Sequence, residues 1–221
     1  MSEGRAAAAQ PQRLLFLPGA SGNTNFWRPV AERLHHQAET VHLGWPGFGD
    51  TPSDPRVNGF DDLLTLVLAQ LDRPCALIAQ SMAGVLALRA ALAQPERITH
   101  LVLCATSGGV PMVTLGAEDW RESFQAAHPH LPDWFATDTT DLTRELPQLT
   151  MPVLLLWGEA DPISPVAVGK RLAALLPRGR LEVIPGADHD LGLLHADRVA
   201  PLIDAHLTDA HLIDATVLAP P

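Results

Sequence analysis

Apolar residues along this chain fall into short unbroken runs, separated by stretches in which they recur every three or four positions. The runs at 13–17, 40–43, 76–79, 101–105, 153–157 and 181–184 are too short for helices and mostly lack polar alternation. That is the mark of strands buried on both faces. Between them, 25–36 carries Phe26, Trp27, Val30 and Leu34 at helical spacing, and 60–71 is amphipathic with Asp61 near its start. Residues 82–93 are apolar, alanine-rich and stopped by Pro95, and helices are also expected at 165–176 and 197–207. Repeated strand–helix units predict an α/β fold, a mostly parallel sheet of six strands with helices on both faces. The alternation stops between Ser107 and Leu149. That segment holds several prolines, Trp120, Phe124, Trp134 and Phe135, with helical candidates at 117–127 and 138–146. It reads as a short lid, inserted at about 107–149 in a single domain spanning 1–221.

Composition narrows the function classes. The net charge is −10 and Lys170 is the only lysine, so no basic stripe exists to neutralise phosphates and nucleic-acid binding is excluded. The stretch from Met1 to Gln12 lacks the apolar core of a signal peptide, and no apolar run approaches the length of a membrane span. A cytoplasmic protein, monomeric or homodimeric, is expected. Cys75 and Cys104 fall inside apolar runs and read as reduced, buried thiols. Two cysteines make no metal pattern, and His128-Pro129-His130 is stiffened away from chelation by its proline, so neither metal nor cofactor is expected.

In a parallel sheet, ligands gather at the carboxyl ends of the strands. Ser81 stands where the 76–79 run switches to a helix, with small residues Ala79, Ala83 and Gly84 around it. A tight turn of this kind lifts a serine hydroxyl out of the sheet, although a serine capping a helix is the plainer alternative. The 153–157 run ends in Gly158-Glu159-Ala160-Asp161-Pro162, and the 181–184 run in Pro185-Gly186-Ala187-Asp188-His189-Asp190. A hydroxyl nucleophile needs a base for its proton, and that imidazole needs a carboxylate to hold its tautomer. All three residue types occur at strand ends, in the order Ser81, Asp161, His189.

These strings resemble those of the α/β-hydrolase fold superfamily, in its serine esterase-like branch. Leu17-Pro18-Gly19-Ala20-Ser21-Gly22 resembles the family's oxyanion loop, and Trp45-Pro46-Gly47-Phe48-Gly49-Asp50-Thr51 its Pro-Gly-x-Gly-x-Ser loop. Gln80-Ser81-Met82-Ala83-Gly84 resembles the nucleophile elbow, and the strings at 156–163 and 186–190 the acid and histidine loops. The resemblance implies Ser81 as nucleophile, His189 as general base, Asp161 as orienting acid, and the N–H groups of Ala20 and Met82 as oxyanion donors. Pro18 stands where the family usually has histidine, Thr51 where it has serine, and Ala79 and Ala83 where it has glycine. The family's two extra N-terminal strands do not fit ahead of Arg13.

Other readings compete at several positions. Glu159 could serve as the acid, but the string match favours Asp161. Asp188 and Asp190 flank His189 in sequence and read as loop-stabilising residues. The remaining histidines read mostly as surface residues. Trp120, Trp134 and Phe135 either line an acyl pocket or form the small core of the lid, and Trp45 and Phe48 read as structural. The favoured activity is hydrolysis of a small-molecule carboxylic ester, with a lactone or thioester as variants. A lyase, an acyltransferase or a non-catalytic binding protein on the same scaffold remain open. Dehalogenase chemistry is disfavoured, because that branch carries aspartate where Ser81 stands.

Overall fold

The computed structural model describes residues 10–129 and 131–208. Its sheet contains β1 (Arg13–Leu17), β2 (Glu39–His42), β3 (Cys75–Gln80), β4 (Ile98–Cys104), β5 (Val153–Gly158) and β6 (Gly179–Ile184). The strand order is β2-β1-β3-β4-β5-β6, and every pairing is parallel. The six apolar runs are the six strands.

Consecutive strand positions enter opposite cores, as the pleat requires. Leu15, Leu17, Leu77, Ala79, Leu101, Leu103, Leu155 and Trp157 face one apolar layer. Leu14, Phe16, Ala76, Ile78, Val102, Cys104, Leu154 and Leu156 face the other. On the second face lie α1 (Arg28–Ala31), α6 (Leu191–Leu194) and α7 (Ala196–Thr208); α2 (Phe60–Leu68), α3 (Met82–Ala93) and α5 (Val166–Leu175) cover the first. Both faces of every central strand are therefore dry, which is why these strands read as continuous apolar runs.

Two expected helices are shorter than their spacing suggests. Of 25–36, only Arg28–Ala31 is α-helical. At its start the Asn25 N–H donates to the Asn23 side chain, which favours a turn over a helix. At its end the Asp204 carboxylate on α7 accepts the N–H groups of His35 and His36, so a distant residue takes the donors a longer helix would use. The candidate at 117–127 narrows to α4 (Arg121–Ala127). The one at 138–146 is not helical: Asp138 and Asp141 accept the N–H groups of Thr140 and Thr143, and only 3-10 turns form at Asp133–Thr137 and Leu146–Gln148. His130, His211 and the tail from 209 onward lie outside the described residues.

Not all remaining histidines are on the surface. His100 of β4 and His206 of α7 are buried beneath that helix, their rings edge to face at 5.2 Å. The His206 Nε2–H donates to the Leu101 carbonyl at 3.0 Å, whereas neither ring nitrogen of His100 has a hydrogen-bond partner among the described residues. Burial is the main reason the pKa falls to about 4 at His100 and to about 3 at His206. Charge on His36 and Arg178 adds to it at His100, and charge on His100, Arg178 and Arg180 at His206. Both rings stay neutral in the fold, while the unfolded chain protonates them below about pH 6.5. Their contribution to stability is thus complete above that pH and is lost as the pH falls towards the folded values. The urea midpoint of His100→Leu is expected to fall less steeply than that of the wild type between about pH 6.5 and 4.5. Equal slopes would place the acid sensitivity in other groups.

Candidate active site

The chain runs from β1 outward to β2, then crosses back to β3 on the other side of β1. The connections leaving the carboxyl ends of β1 and β3 therefore diverge and open a crevice between them. Leu17 and Ala79 are register partners, so the loop at 18–23 and the turn at Ser81 leave the sheet side by side. A Cβ on Gly19 would lie 3.1 Å from Ser81 Cβ, which measures how closely the loop passes the turn.

Ser81 has φ 52° and ψ −121°, a conformation that costs an L-residue about 1–3 kcal/mol. Its N–H donates to the Cys104 carbonyl at 2.9 Å, and its own carbonyl accepts the Gly84 N–H at 3.0 Å. Ala79 and Ala83 are both fully buried, so the steric rule behind the turn is met with alanine in place of glycine. Behind it, α3 is buried at Ala83, Val85, Leu86, Ala87, Leu88, Ala90 and Ala91, which fixes the turn to the core.

Asp161 and His189 arrive on the loops after β5 and β6. These loops are stitched together by Glu159 N–H to Ile184 O at 3.1 Å and Ala160 N–H to Ala187 O at 2.8 Å. His189 Nδ1 lies 2.8 Å from Asp161 Oδ2, and His189 Nε2 lies 3.0 Å from Ser81 Oγ. An ionised Asp161 only accepts, so the imidazole proton sits on Nδ1 and Nε2 is left to accept from the Ser81 hydroxyl. The Asp161 side chain is fully buried, whereas that of His189 keeps 18% of its surface open. Glu159 is used elsewhere, its Oε2 accepting the Gly186 N–H at 3.1 Å. Asp188 accepts the Asp190 N–H, the loop-stabilising role expected of it.

Among the described residues, the N–H groups of Ala20 and Met82 donate to no protein acceptor. Ahead of Ala20 alone, the carbonyls of Leu17 and Pro18 are held by two fully buried tryptophans, Trp27 Nε1–H to Leu17 O at 3.1 Å and Trp45 Nε1–H to Pro18 O at 2.7 Å. Through this bond Trp45, which belongs to the loop string at 45–51, does more than fill the core: it fixes the carbonyl two residues before Ala20. Cys104 lies close behind the site, but burial pushes its thiol well above the ordinary value, and the charges of Asp161 and Asp190 push the same way. It stays protonated.

The aromatic residues between β4 and β5 pack on one another and on Phe48 and Phe60 from earlier in the chain. Trp120 stacks on Phe135 at 5.9 Å, Phe48 meets Trp134 and Phe135 edge-on at 5.6 and 5.4 Å, and Phe60 meets Trp134 at 5.8 Å. Phe135 is buried, and the cluster shares its apolar layer with Ala20, Met82 and Ala83 around Ser81.

A family model for the alpha/beta hydrolase fold matches residues 12–145, and a second, for the alpha/beta hydrolase family, matches residues 108–202. The chain belongs to the α/β-hydrolase fold family. Among curated proteins, this α/β hydrolase is similar to pimeloyl-[acyl-carrier protein] methyl ester esterase of Aliivibrio salmonicida, with 25% identity over 83% of this chain and 87% of the relative. Among solved structures it resembles MenH from S. aureus, with a TM-score of 0.73, 20% identity, and 91% and 95% of the two chains covered. A thermophilic esterase from Thermogutta terrifontis gives a TM-score of 0.71 at 23% identity, over 92% of either chain. At these identities the likeness to the two structures is one of fold.

Proposed function

We propose that this α/β hydrolase cleaves carboxylic esters of small to medium acyl groups through an acyl-enzyme on Ser81. The observation that carries the reading is the unbroken line from Ser81 Oγ through the His189 ring to Asp161 Oδ2, with links of 3.0 and 2.8 Å. The Ser81 oxygen attacks the ester carbonyl carbon while its proton passes to His189 Nε2. Negative charge then builds on the carbonyl oxygen, where the N–H groups of Ala20 and Met82 stabilise it, each worth about 3 kcal/mol. The first turn of α3 adds a partial positive charge beside it. Collapse breaks the ester C–O bond, and the departing alcohol takes its proton from His189. Water, deprotonated by His189, attacks the acyl-enzyme; the bond from the acyl carbon to Ser81 Oγ breaks, His189 returns the proton to Oγ, and the acid leaves. Every proton and electron pair is accounted for without a metal or cofactor.

In this reading the segment at 107–149 is a short lid within one domain, and Trp120, Trp134 and Phe135 wall the acyl side of the site. Trp120 stacked on Phe135, and Trp134 set edge-on against Phe48 and Phe60, support a preference for small to medium acyl groups. A relative named as a methyl ester esterase favours an oxygen ester with a small alcohol over a lactone or thioester. No helix among the described residues is long and apolar enough to cross a membrane. Both cysteines are free, which suits a reducing cytoplasm.

The test is intact-protein mass spectrometry after a fluorophosphonate probe, alongside a p-nitrophenyl ester chain-length series. One adduct, mapped to Ser81, with turnover highest on short acyl chains, is the expected result. Folded protein that takes no adduct would overturn the reading.

A further inference from the structure

Two buried hydroxyl residues stand just outside the triad: Thr106, fully buried, and Ser164, 1% exposed. Asp161 has two oxygens, and only one can serve His189. The other, Oδ1, accepts the N–H groups of Ile163 at 2.8 Å and Ser164 at 3.0 Å, and these two donors set the rotation of the carboxylate. They are only as well placed as the loop that bears them. Besides the Asp161–His189 pair itself, that loop is tied to the histidine loop through Glu159, which accepts the Gly186 N–H. It has another towards the nucleophile, where the Ser164 hydroxyl donates to the Thr106 carbonyl at 3.1 Å.

Thr106 is itself held on both sides. Its Oγ1 accepts the Gly108 N–H at 3.0 Å, and the preceding Ala105, at φ 47°, donates its N–H to Leu156 O at 3.0 Å. Its side chain packs against Gly84 so closely that a Cβ there would lie 2.3 Å from Thr106 Oγ1. Gly84 in turn donates to the carbonyl of Ser81 at 3.0 Å. A second connection thus joins the serine turn to the acid loop without passing through the imidazole.

We propose that Ser164 is a positioning residue: its hydrogen bond to Thr106 fixes the acid loop against the corner that backs the nucleophile turn, and so presets the gap that His189 spans. This rests on the serine-hydrolase reading above. Alanine would satisfy the packing at this buried site, but it would free the loop to shift and so loosen the Asp161–His189 bond. Substrate binding would be left alone.

The experiment compares Ser164→Ala, Ser164→Thr and Ser81→Ala in the same ester assay, and follows the downfield proton resonance of the His189–Asp161 hydrogen bond by NMR. Ser164→Ala is expected to lower kcat about ten-fold with KM unchanged, and to broaden the downfield resonance. Ser164→Thr, which keeps the hydroxyl, restores both. If Ser164→Ala folds poorly, Ser164→Cys supplies a weaker donor of similar size for the same measurements. Wild-type kcat with a sharp resonance in the alanine variant overturns the inference, as does a kcat loss with the resonance unchanged. Turnover surviving in Ser81→Ala sinks the hydrolase reading instead, and the resonance, which needs no turnover, still decides the role of Ser164.

Discussion

Ser81→Ala is expected to lower kcat on a short-chain ester by about a million-fold, close to 8 kcal/mol of transition-state stabilisation. His189→Ala should cost a similar amount, because a hydroxyl without its base is a poor nucleophile near neutral pH. Asp161→Asn should cost less, about ten-thousand-fold, because the ring remains but the asparagine amide can stabilise the wrong tautomer. The three act as one unit, so the Ser81→Ala/His189→Ala double variant should be no slower than either single. KM should change little, since neither Oγ nor Nε2 is needed to seat the ester. The Ala20 and Met82 donors survive every one of these changes, so activity above the uncatalysed rate should remain. Steady-state kinetics on the four proteins, each checked for folding, decide the matter. A ten-fold effect of His189→Ala would mean that the 3.0 Å contact to Ser81 is not what activates the serine.

The parts of this fold and site that are readable in the sequence are those whose cause is local. A strand buried on both faces must be apolar at every position, so residues such as Leu14 to Leu17 and Leu154 to Leu156 announce themselves. Ser81, Asp161 and His189 stand directly after such runs, and the small residues around Ser81 are demanded by the turn itself. What the sequence hides depends on partners far along the chain. The helix expected at 25–36 is cut short by Asp204, 169 positions beyond His35, and no window around His35 contains that information. His100 stands just before the 101–105 run and looks like an ordinary polar residue at a strand end until α7 lays His206 across it. The Ser164 hydroxyl meets a backbone carbonyl 58 positions away, a contact that leaves no trace in residue type at Thr106. The aromatic residues between β4 and β5 are a middle case. Their number is visible, but which of them pack on Phe48 depends on how the 44–52 loop is held.

Gly158→Ala tests how closely the acid and histidine loops must approach. Gly158 ends β5, and a Cβ there would lie 2.4 Å from the Asp188 carbonyl oxygen and 2.5 Å from that of Ala187. Both are backbone atoms, so no side-chain rotation relieves the overlap; the loops themselves have to part. The bonds that would give are Ala160 N–H to Ala187 O at 2.8 Å and Glu159 N–H to Ile184 O at 3.1 Å, those that hold Asp161 beside His189. A loss of about 3 kcal/mol in stability is expected from the overlap, and a fall of about a hundred-fold in kcat from misplacing the carboxylate. Gly186→Ala makes the comparison sharp. It lies in the same histidine loop at φ 72°, with open space around the position a Cβ would take. That change should cost about 1 kcal/mol in backbone strain and leave kcat within about two-fold, since the Gly186 N–H can still donate to Glu159. Urea melts and ester kinetics on the two variants separate strain in the loop from separation of the loops. Wild-type kcat in a folded Gly158→Ala would mean that the Asp161–His189 distance is set by something other than this contact, and the Ser164 tie to Thr106 would then be the remaining structural candidate.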